Sequence, residues 1–301
     1  MDSSYTLPQI QSGMVAIVGP PNAGKSTLMN QLLGMKVSIV TPKPQTTRNR
    51  ILGVLNGDSY QIVLIDTPGL HKADQPLNKE MMRLAMESLT EVDAILFLLD
   101  VCGAAKKKNS GNIPKEYLER INAPAFLLLN KIDLIAKQDL LPVIERYQKL
   151  FPFEAILPLS AKTGAGTDEV VTEILKKLPL GPRYFPEDVP TDVSERFLVG
   201  EIIREKVFLL TGQEVPYSTA VVIDSFVEGS RQITIHASIV LEKASQKGIV
   251  IGKGGHKLKS IGTAARRDME KMLGEKVLLK LWVKVKKNWS QNSGFLKEIG
   301  F

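Results

Sequence analysis

The nine residues Gly19-Pro20-Pro21-Asn22-Ala23-Gly24-Lys25-Ser26-Thr27 constrain this chain more than any other stretch. An apolar run at 14–18 precedes them and reads as a buried strand. Leu28, Met29, Leu32 and Leu33 follow at helical spacing. Strand, glycine-bounded loop and helix, with Gly, four residues, Gly, Lys and Ser in order, are the setting of a phosphate-binding loop. Gly19 and Gly24 let several backbone N–H groups converge on one anion. Lys25 carries a point charge toward the β and γ phosphates, and the Ser26 hydroxyl can ligate Mg²⁺. The start of the helix adds its partial positive charge. An ordinary glycine turn is the bland alternative, and the complete pattern in this context argues against it.

A length of 301 residues suits two domains, and 44% hydrophobic content supports real cores. No apolar run approaches the roughly 18 residues of a membrane-spanning helix. The polar, mixed start of the chain predicts no signal peptide. Cys102 is the one cysteine, which excludes a disulfide framework and a cysteine-based zinc cluster. With only His71, His236 and His256 beside it, a dedicated transition-metal site is not expected. Such cysteine usage predicts a reducing compartment, most simply the cytosol. The net charge of +7 is uneven: residues 242–287 hold thirteen Lys and Arg against four acidic residues. That segment points to a polyanionic partner, with a solvated lysine-rich face as the alternative.

Residues 35–49, rich in Thr, Pro and Lys, read as a mobile connection. Strands at 51–55 and 60–65 flank Asn56-Gly57-Asp58-Ser59, which is hairpin punctuation. Asp66-Thr67-Pro68-Gly69 then places a carboxylate at a strand end, where it can hold Mg²⁺ through its water shell. Gly69 can bring its N–H close to a γ-phosphate. A helix at 76–90, a buried strand at 94–99 ending in Asp100, a solvated loop with Lys106, Lys107 and Lys108, and a short helix at 115–121 follow. The buried strand at 125–129 ends in Asn130-Lys131-Ile132-Asp133. A carboxylate there can accept from guanine N1–H and the exocyclic amine together. Adenine lacks that donor pair and would leave the carboxylate unpaired, a mismatch worth roughly 10⁴-fold. Asn130 would brace the loop, and the Lys131 stem would cover the base. A helix at 139–149 and a strand at 155–158 precede Ser160-Ala161-Lys162, whose backbone amide can donate to guanine O6. A helix at 168–178 closes this part. Alternating strands and helices predict an α/β fold, a mostly parallel sheet with helices on both faces and ligands at the strands' carboxyl ends.

These stretches, in this order, resemble the translation-factor-related GTPases, and their particular forms resemble the Era branch of the TrmE–Era group. By that resemblance Gly19, Asn22, Ala23, Gly24, Lys25, Ser26 and Thr27 bind phosphate and magnesium. Thr47, in Pro44-Gln45-Thr46-Thr47-Arg48, is the switch threonine on Mg²⁺ and the γ-phosphate. Asp66 and Gly69 sense the γ-phosphate. Asn130, Lys131 and Asp133 read guanine with help from Ser160, Ala161 and Lys162. Lys25, Thr47 and Gly69 are the catalytic candidates; Ser26, Thr47 and Asp66 are the metal candidates. Leu70 stands where Ras-type GTPases carry a glutamine, and Pro21 where they carry glycine. The family shares both features, which implies that water is positioned by backbone or by a bound cation. Asn22 is then the candidate to hold K⁺ near the phosphates. Unassisted turnover should be slow, roughly 10⁻⁴ to 10⁻² per second.

Prolines 179, 182, 186 and 190 with Gly181 make residues 179–193 a stiff linker between a domain at 1–178 and a second at 194–301. Asp192 or Ser194 can cap the next helix, which carries Phe197, Leu198, Ile202 and Val207. Strands are expected at 215–227 and 232–241, turned at Glu228-Gly229-Ser230-Arg231. The loop Gly252-Lys253-Gly254-Gly255, a helix at 257–273 and a last strand at 277–285 follow. A GxxG loop between helices inside the basic segment fits the clamp that holds about four nucleotides of single-stranded RNA. The segment resembles an α+β type II KH domain. That places Gly252, Lys253, Gly254 and Gly255 on RNA, with Lys257, Lys259, Arg266 and Arg267 added from charge alone. Trp289, Phe295, Leu296, Ile299 and Phe301 in the tail are expected to pack on their own domain.

A GTPase followed by a KH domain is the family's arrangement along nearly the full chain. The resemblance implies a monomer that uses GTP, GDP and Mg²⁺ and binds small-subunit (16S) ribosomal RNA near its 3′ end. It further implies assistance to 30S assembly and a cytoplasmic place with peripheral contact to the inner membrane. Two other classes remain open at this stage: a metabolic P-loop kinase or ATPase, and an RNA-binding module whose nucleotide site is only structural.

Overall fold

The computed structural model describes residues 9–43, 46–69, 76–105, 118–212 and 214–299. Pro44, Gln45, Leu70, His71, Lys106, Lys107, Lys108, the first part of the helix expected at 115–121, and Phe301 lie outside them. The chain divides into two compact units, each described by itself. The first holds Met1–Ser38, Thr47–Lys72 and Met81–Asp192; the second holds Ile39–Thr46, Ala73–Glu80 and Val193–Phe301.

In the first unit, β1 (Ile10–Val18), β2 (Ile51–Gly57), β3 (Tyr60–Asp66), β4 (Ala94–Asp100), β5 (Ala125–Asn130), β6 (Ala155–Leu159) and β7 (Leu180–Gly181) form one sheet. Its order is β2-β3-β1-β4-β5-β6, with β7 antiparallel beside β1. The β1, β3, β4, β5 and β6 pairings are parallel, and β2 returns antiparallel on β3. Near-continuous apolar sequences such as Ala-Ile-Leu-Phe-Leu-Leu in β4 suit strands buried on both faces. The helices are α1 (Lys25–Leu33), the part of α2 (Pro76–Glu87) from Met81 on, α3 (Val101–Ala105), α4 (Leu140–Gln148) and α5 (Thr167–Leu175). Phe97, Phe126 and Tyr147 are among the largest fully buried side chains. Parallel order brings the ends of β1, β3, β4, β5 and β6 to one edge, and the loops that follow them line it.

The proline-rich stretch before Val193 lies fastened along the edge strand β2. Val54 N donates to Pro190 O at 2.8 Å, Thr191 Oγ1 to Leu52 O at 2.6 Å, and Leu52 N to Asp192 Oδ1 at 3.2 Å. The Gln61 amide oxygen accepts from Tyr184 N at 2.7 Å and Phe185 N at 3.0 Å. Extended proline backbone offers carbonyls without N–H groups, so the strap covers an otherwise open sheet edge.

In the second unit, α6 (Glu195–Leu210), β8 (Thr219–Glu228), β9 (Ile233–Leu241), α7 (Ala244–Ile251), α8 (His256–Leu273) and β10 (Val277–Val285) follow in the order of a type II KH domain. The sheet order is β10-β9-β8, with β10 parallel and β8 antiparallel to β9. One sheet face, with Ile233, Ile235, Ile239 and Val277, packs against Val199, Ile203 and Val207 of α6, Val250 of α7, and Ile261, Ala265 and Met269 of α8. Ser194 is the helix cap, its Oγ accepting from Phe197 N at 3.2 Å. The strand expected from residue 215 starts four residues later. Pro216 has no N–H for a ladder, and Tyr217 N and Ser218 N both donate to Glu214 O in a turn. The tail packs on its own unit: Trp289 is fully buried, its Nε1 donates to Ser218 O at 3.0 Å, and Phe295 meets it edge-on in α9 (Ser293–Glu298).

A buried charge network ties α6 to α8. Lys206 Nζ lies 2.7 Å from Glu205 Oε2 and 2.5 Å from Asp268 Oδ2, and the Glu205 side chain is only 4% exposed. Burial alone lowers the Lys206 ammonium, but Asp268 and Glu205 outweigh it and hold it above its ordinary value. Lys206→Met removes the cation from a nearly buried carboxylate. It should destabilise the second unit by about 2–4 kcal/mol in denaturant unfolding. A loss below about 0.5 kcal/mol would show that solvent screens the network.

Candidate functional site

The loop after β1 wraps toward α1 because its glycines take backbone shapes that other residues avoid. Gly24 has φ 102° and Gly19 φ 147°, and a β-carbon on Gly19 would sit 2.2 Å from Leu98 O. Asn22 is also left-handed, at φ 62°. The loop thereby curls around the Lys25 side chain, whose Nζ donates to Gly19 O at 3.0 Å and Pro20 O at 3.1 Å. Burial lowers the Lys25 ammonium to about 8, with Asp66 pulling the other way. An anion in the loop would supply the countercharge that burial withholds.

Four oxygen-bearing side chains meet beside it. Ser26 Oγ donates to Asp66 Oδ2 at 2.6 Å and stands 2.8 Å from Thr47 Oγ1. Ser38 Oγ donates to the same Asp66 oxygen at 2.8 Å. Burial raises the Asp66 carboxyl against the Ser26 bond, the Lys25 charge and the Ser38 and Thr47 bonds. The other oxygen, Oδ1, is buried without a hydrogen-bond partner. An orphaned carboxylate oxygen among hydroxyls fits a hard divalent cation such as Mg²⁺, which takes few protein ligands and completes its shell with phosphate and water. Among the described residues no three His, Cys, Asp or Glu side chains cluster for a metal. Gly69 lies against this loop; a β-carbon there would be 3.0 Å from Pro21.

A third cluster gathers at the ends of β4, β5 and β6. The Asn130 side chain is buried and joins three loops. Its Nδ2 donates to Ala23 O at 2.7 Å, and its Oδ1 accepts from Lys131 N at 2.8 Å and Ala161 N at 2.9 Å. Asp133 Oδ1 accepts from Ser160 Oγ at 2.7 Å. Lys131 is left-handed at φ 72°, and its Nζ pairs with Asp100 Oδ2 at 2.7 Å. Asn130, Lys131, Asp133, Ser160 and Ala161 therefore stand together, while the Lys162 side chain is exposed. Ser38 and Asp100 belong to these clusters although the sequence reading gave them no role. Their partners lie 28 and 31 residues away, and no local pattern marks them.

In the second unit, Gly252, Gly254 and Gly255 all have positive φ, at 72°, 58° and 78°. They place the backbone of Lys253 at the start of α8. The basic candidates divide between two concavities. Gly255, Lys259 and Arg266 line a groove of about 390 Å³ with Leu279 and Leu281 of β10. Gly252, Lys253, Gly254 and Lys257 line another of about 610 Å³ with Leu210. Arg267 is exposed and borders neither. Arg266 also pairs with Glu270 at 3.0 Å.

The second unit also holds Ile39–Thr46. Val40 N donates to Glu205 Oε1 at 3.0 Å, Lys43 Nζ donates to Phe208 O and Thr211 O at the end of α6, and Arg204 Nη2 donates to Thr46 O. A lysine on the last carbonyls of a helix meets both carbonyl acceptors and the negative end of the helix dipole.

Asn130 makes a glycine test possible. A β-carbon on Gly24 would lie 2.2 Å from Asn130 Nδ2, whereas one on Gly34, at φ 67°, meets nothing within 4 Å. Gly24→Ala should cost about 1–3 kcal/mol of stability and weaken guanine-nucleotide binding about tenfold or more, since the Asn130 amide must move. Gly34→Ala should cost about 1 kcal/mol of strain and leave binding unchanged. Equal effects from the two in nucleotide titration and thermal unfolding would contradict the bracing role of Asn130.

Comparison with known proteins agrees with this geometry. Residues 14–131 match the family described as 50S ribosome-binding GTPase, and residues 214–290 match the KH domain family. GTPase Era of Geotalea uraniireducens is 51% identical over 294 residues, covering 97% of this chain and 98% of its own. GTPase Era of Lacticaseibacillus paracasei is 48% identical over 292 residues, covering 96% of each. A solved structure of a tyrosine-to-alanine variant of Aquifex aeolicus Era bound to GDP and AlF4⁻ matches with TM-score 0.92 at 42% identity, over 97% of this chain and 99% of that one. Era in complex with MgGDPNP and nucleotides 1506–1542 of 16S ribosomal RNA matches at the same TM-score, identity and coverage. At these identities, over nearly its full length, the chain belongs to the GTPase Era family.

Proposed function

We propose that this GTPase is a nucleotide-controlled RNA-binding switch. It binds 16S ribosomal RNA near the 3′ end through its KH domain, assists 30S subunit assembly, and uses GTP hydrolysis as a timer. Residues 1–178 form the GTPase domain, 179–193 the connection and 194–301 the KH domain with its tail. The single observation that carries the switch is the Ile39–Thr46 segment. It bonds to Glu205, Arg204 and the end of α6, and the next residue is Thr47, whose hydroxyl meets Ser26 and Asp66.

Within this reading, the N–H groups of Gly19, Asn22, Ala23 and Gly24 and the Lys25 ammonium hold the phosphates. Asp133 and the Ala161 amide read guanine, and Lys131 covers the base while Asp100 holds its ammonium. Ser26, Thr47 and Asp66 would hold magnesium, and Asn22 would hold potassium; when bound, the two cations supply positive charge to the phosphates. Gly69 offers its N–H to the γ-phosphate. The lone cysteine supports a cytoplasmic place, and the basic KH surface supports the family's peripheral membrane contact. The 16S fragment and MgGDPNP bound together in the solved relative support the same pairing of ligands.

RNA affinity in two nucleotide states tests the switch. At fixed salt, a 16S 3′-end oligonucleotide should bind about tenfold tighter with GDPNP than with GDP, a coupling of about 1.4 kcal/mol. Lys43→Met should reduce that ratio toward one without changing GDP affinity. Equal RNA affinities in the native chain would remove the switch and leave an RNA-binding module with a structural nucleotide.

The potassium assignment has its own measurement. GTP hydrolysis should run several-fold faster in potassium than in sodium chloride at equal ionic strength, and Asn22→Ala should abolish the difference. Equal rates in the two salts would exclude a potassium role.

A further inference from the structure

The face of the KH sheet opposite α6, α7 and α8 carries a cluster that the groove reading does not use. Along β10, Leu279 and Leu281 point into the groove beside α8. The alternate residues Lys280, Trp282 and Lys284 stand on the opposite face. Trp282 is 45% exposed. Its ring meets the His236 ring of β9 edge-on, with centroids 5.3 Å apart and planes at 69°. An isolated exposed aromatic calls for no explanation. This one is held by a neighbour and has a lysine on each side, about 7 Å away along the strand. That is near the separation of successive phosphates in an extended single strand. Lys280 has no acidic partner among the described residues, and Lys284 pairs with Asp224 at 3.3 Å with its side chain largely exposed.

We propose that the outer face of β10 is a second RNA subsite, a stacking platform in which Trp282, braced by His236, takes one unpaired base while Lys280 and Lys284 neutralise the flanking phosphates. The inference rests on the RNA-binding reading and extends it beyond the GxxG groove. Two observations favour RNA as the occupant. The first is charge: the platform belongs to the segment 242–287, where thirteen basic residues face four acidic ones. The second is continuity. β10 is an edge strand, so the groove on its inner side and Trp282 on its outer side are separated by one strand's width. An RNA strand leaving the groove reaches the ring by rounding that edge. Stacking on an aromatic tolerates any base, so the platform would add affinity and length preference rather than sequence reading.

The chain's two tryptophans make the test direct. Trp289 is fully buried, so base stacking would quench Trp282 selectively. Full-length protein with GDPNP would be titrated with a 16S 3′-end RNA while fluorescence and affinity are followed. The expected result is quenching that Trp282→Leu abolishes, with affinity about five- to twentyfold weaker, and Trp282→Phe within about threefold of the native chain. Trp282→Leu affinity within twofold of native, while Gly254→Asp loses binding, would overturn the platform and leave the KH reading standing. Native affinity in Gly254→Asp as well would sink the KH reading itself. Quenching of Trp282 by phosphatidylglycerol vesicles but not by RNA would assign the face to a membrane and overturn the proposal.

Discussion

The first unit depends on an unfinished charge balance. Lys25, the first residue of α1, and Asp66, the last of β3, are both buried, and burial pushes both toward neutrality. Protein groups satisfy one carboxylate oxygen with three hydroxyls and leave the other with none. Such an arrangement costs stability in the free chain. A cation on the carboxylate and phosphates around the lysine relieve both costs together. Such a site would favour metal and nucleotide jointly, with binding energy going into charge that the fold has already desolvated.

Geometry around that balance is held by groups with few alternatives. Parallel strands fix which loops share an edge, and Asn130 sets the distances among three of them with one amide. An amide is the apt group for the task because it donates and accepts at once. An aspartate in its place would have nothing to give Ala23 O, and a leucine would leave three backbone groups buried without partners.

Much of this could be read from the sequence because each motif is local. The glycines, Lys25 and Ser26 lie within eight residues, and Asn130, Lys131 and Asp133 follow directly on an apolar strand. The KH order was legible because three strands and the GxxG loop are each bounded by local signals. What escaped depends on distance in the chain. Ser38 and Asp100 acquire their roles from partners on other elements. The prolines before Val193 argue against a helix there, but nothing near them announces that Gln61 and the β2 edge supply their hydrogen bonds. Pro216 marked the late start of β8, a signal outweighed by the alternating pattern that surrounds it.

The segment 39–46 carries the largest consequence of a non-local contact. Thr, Pro and Lys without periodicity read as a mobile connection, and nothing in that composition reveals that Glu205, Arg204 and the carbonyls of α6 bind it. Each such bond is worth about 1 kcal/mol net, and rather more where a charge takes part. A nucleotide state that draws Thr47 toward a metal need disturb or reinforce only one or two of them to reach the 1–3 kcal/mol typical of coupled sites. Glu205 stands at the centre of that arithmetic. One of its oxygens holds Val40 and the other holds Lys206, which also holds Asp268 of α8. The helix that follows the GxxG loop is therefore linked through Lys206 and Glu205 to the segment that precedes Thr47. Within the proposed switch, a change at the segment would reach that helix through two side chains, Glu205 and Lys206.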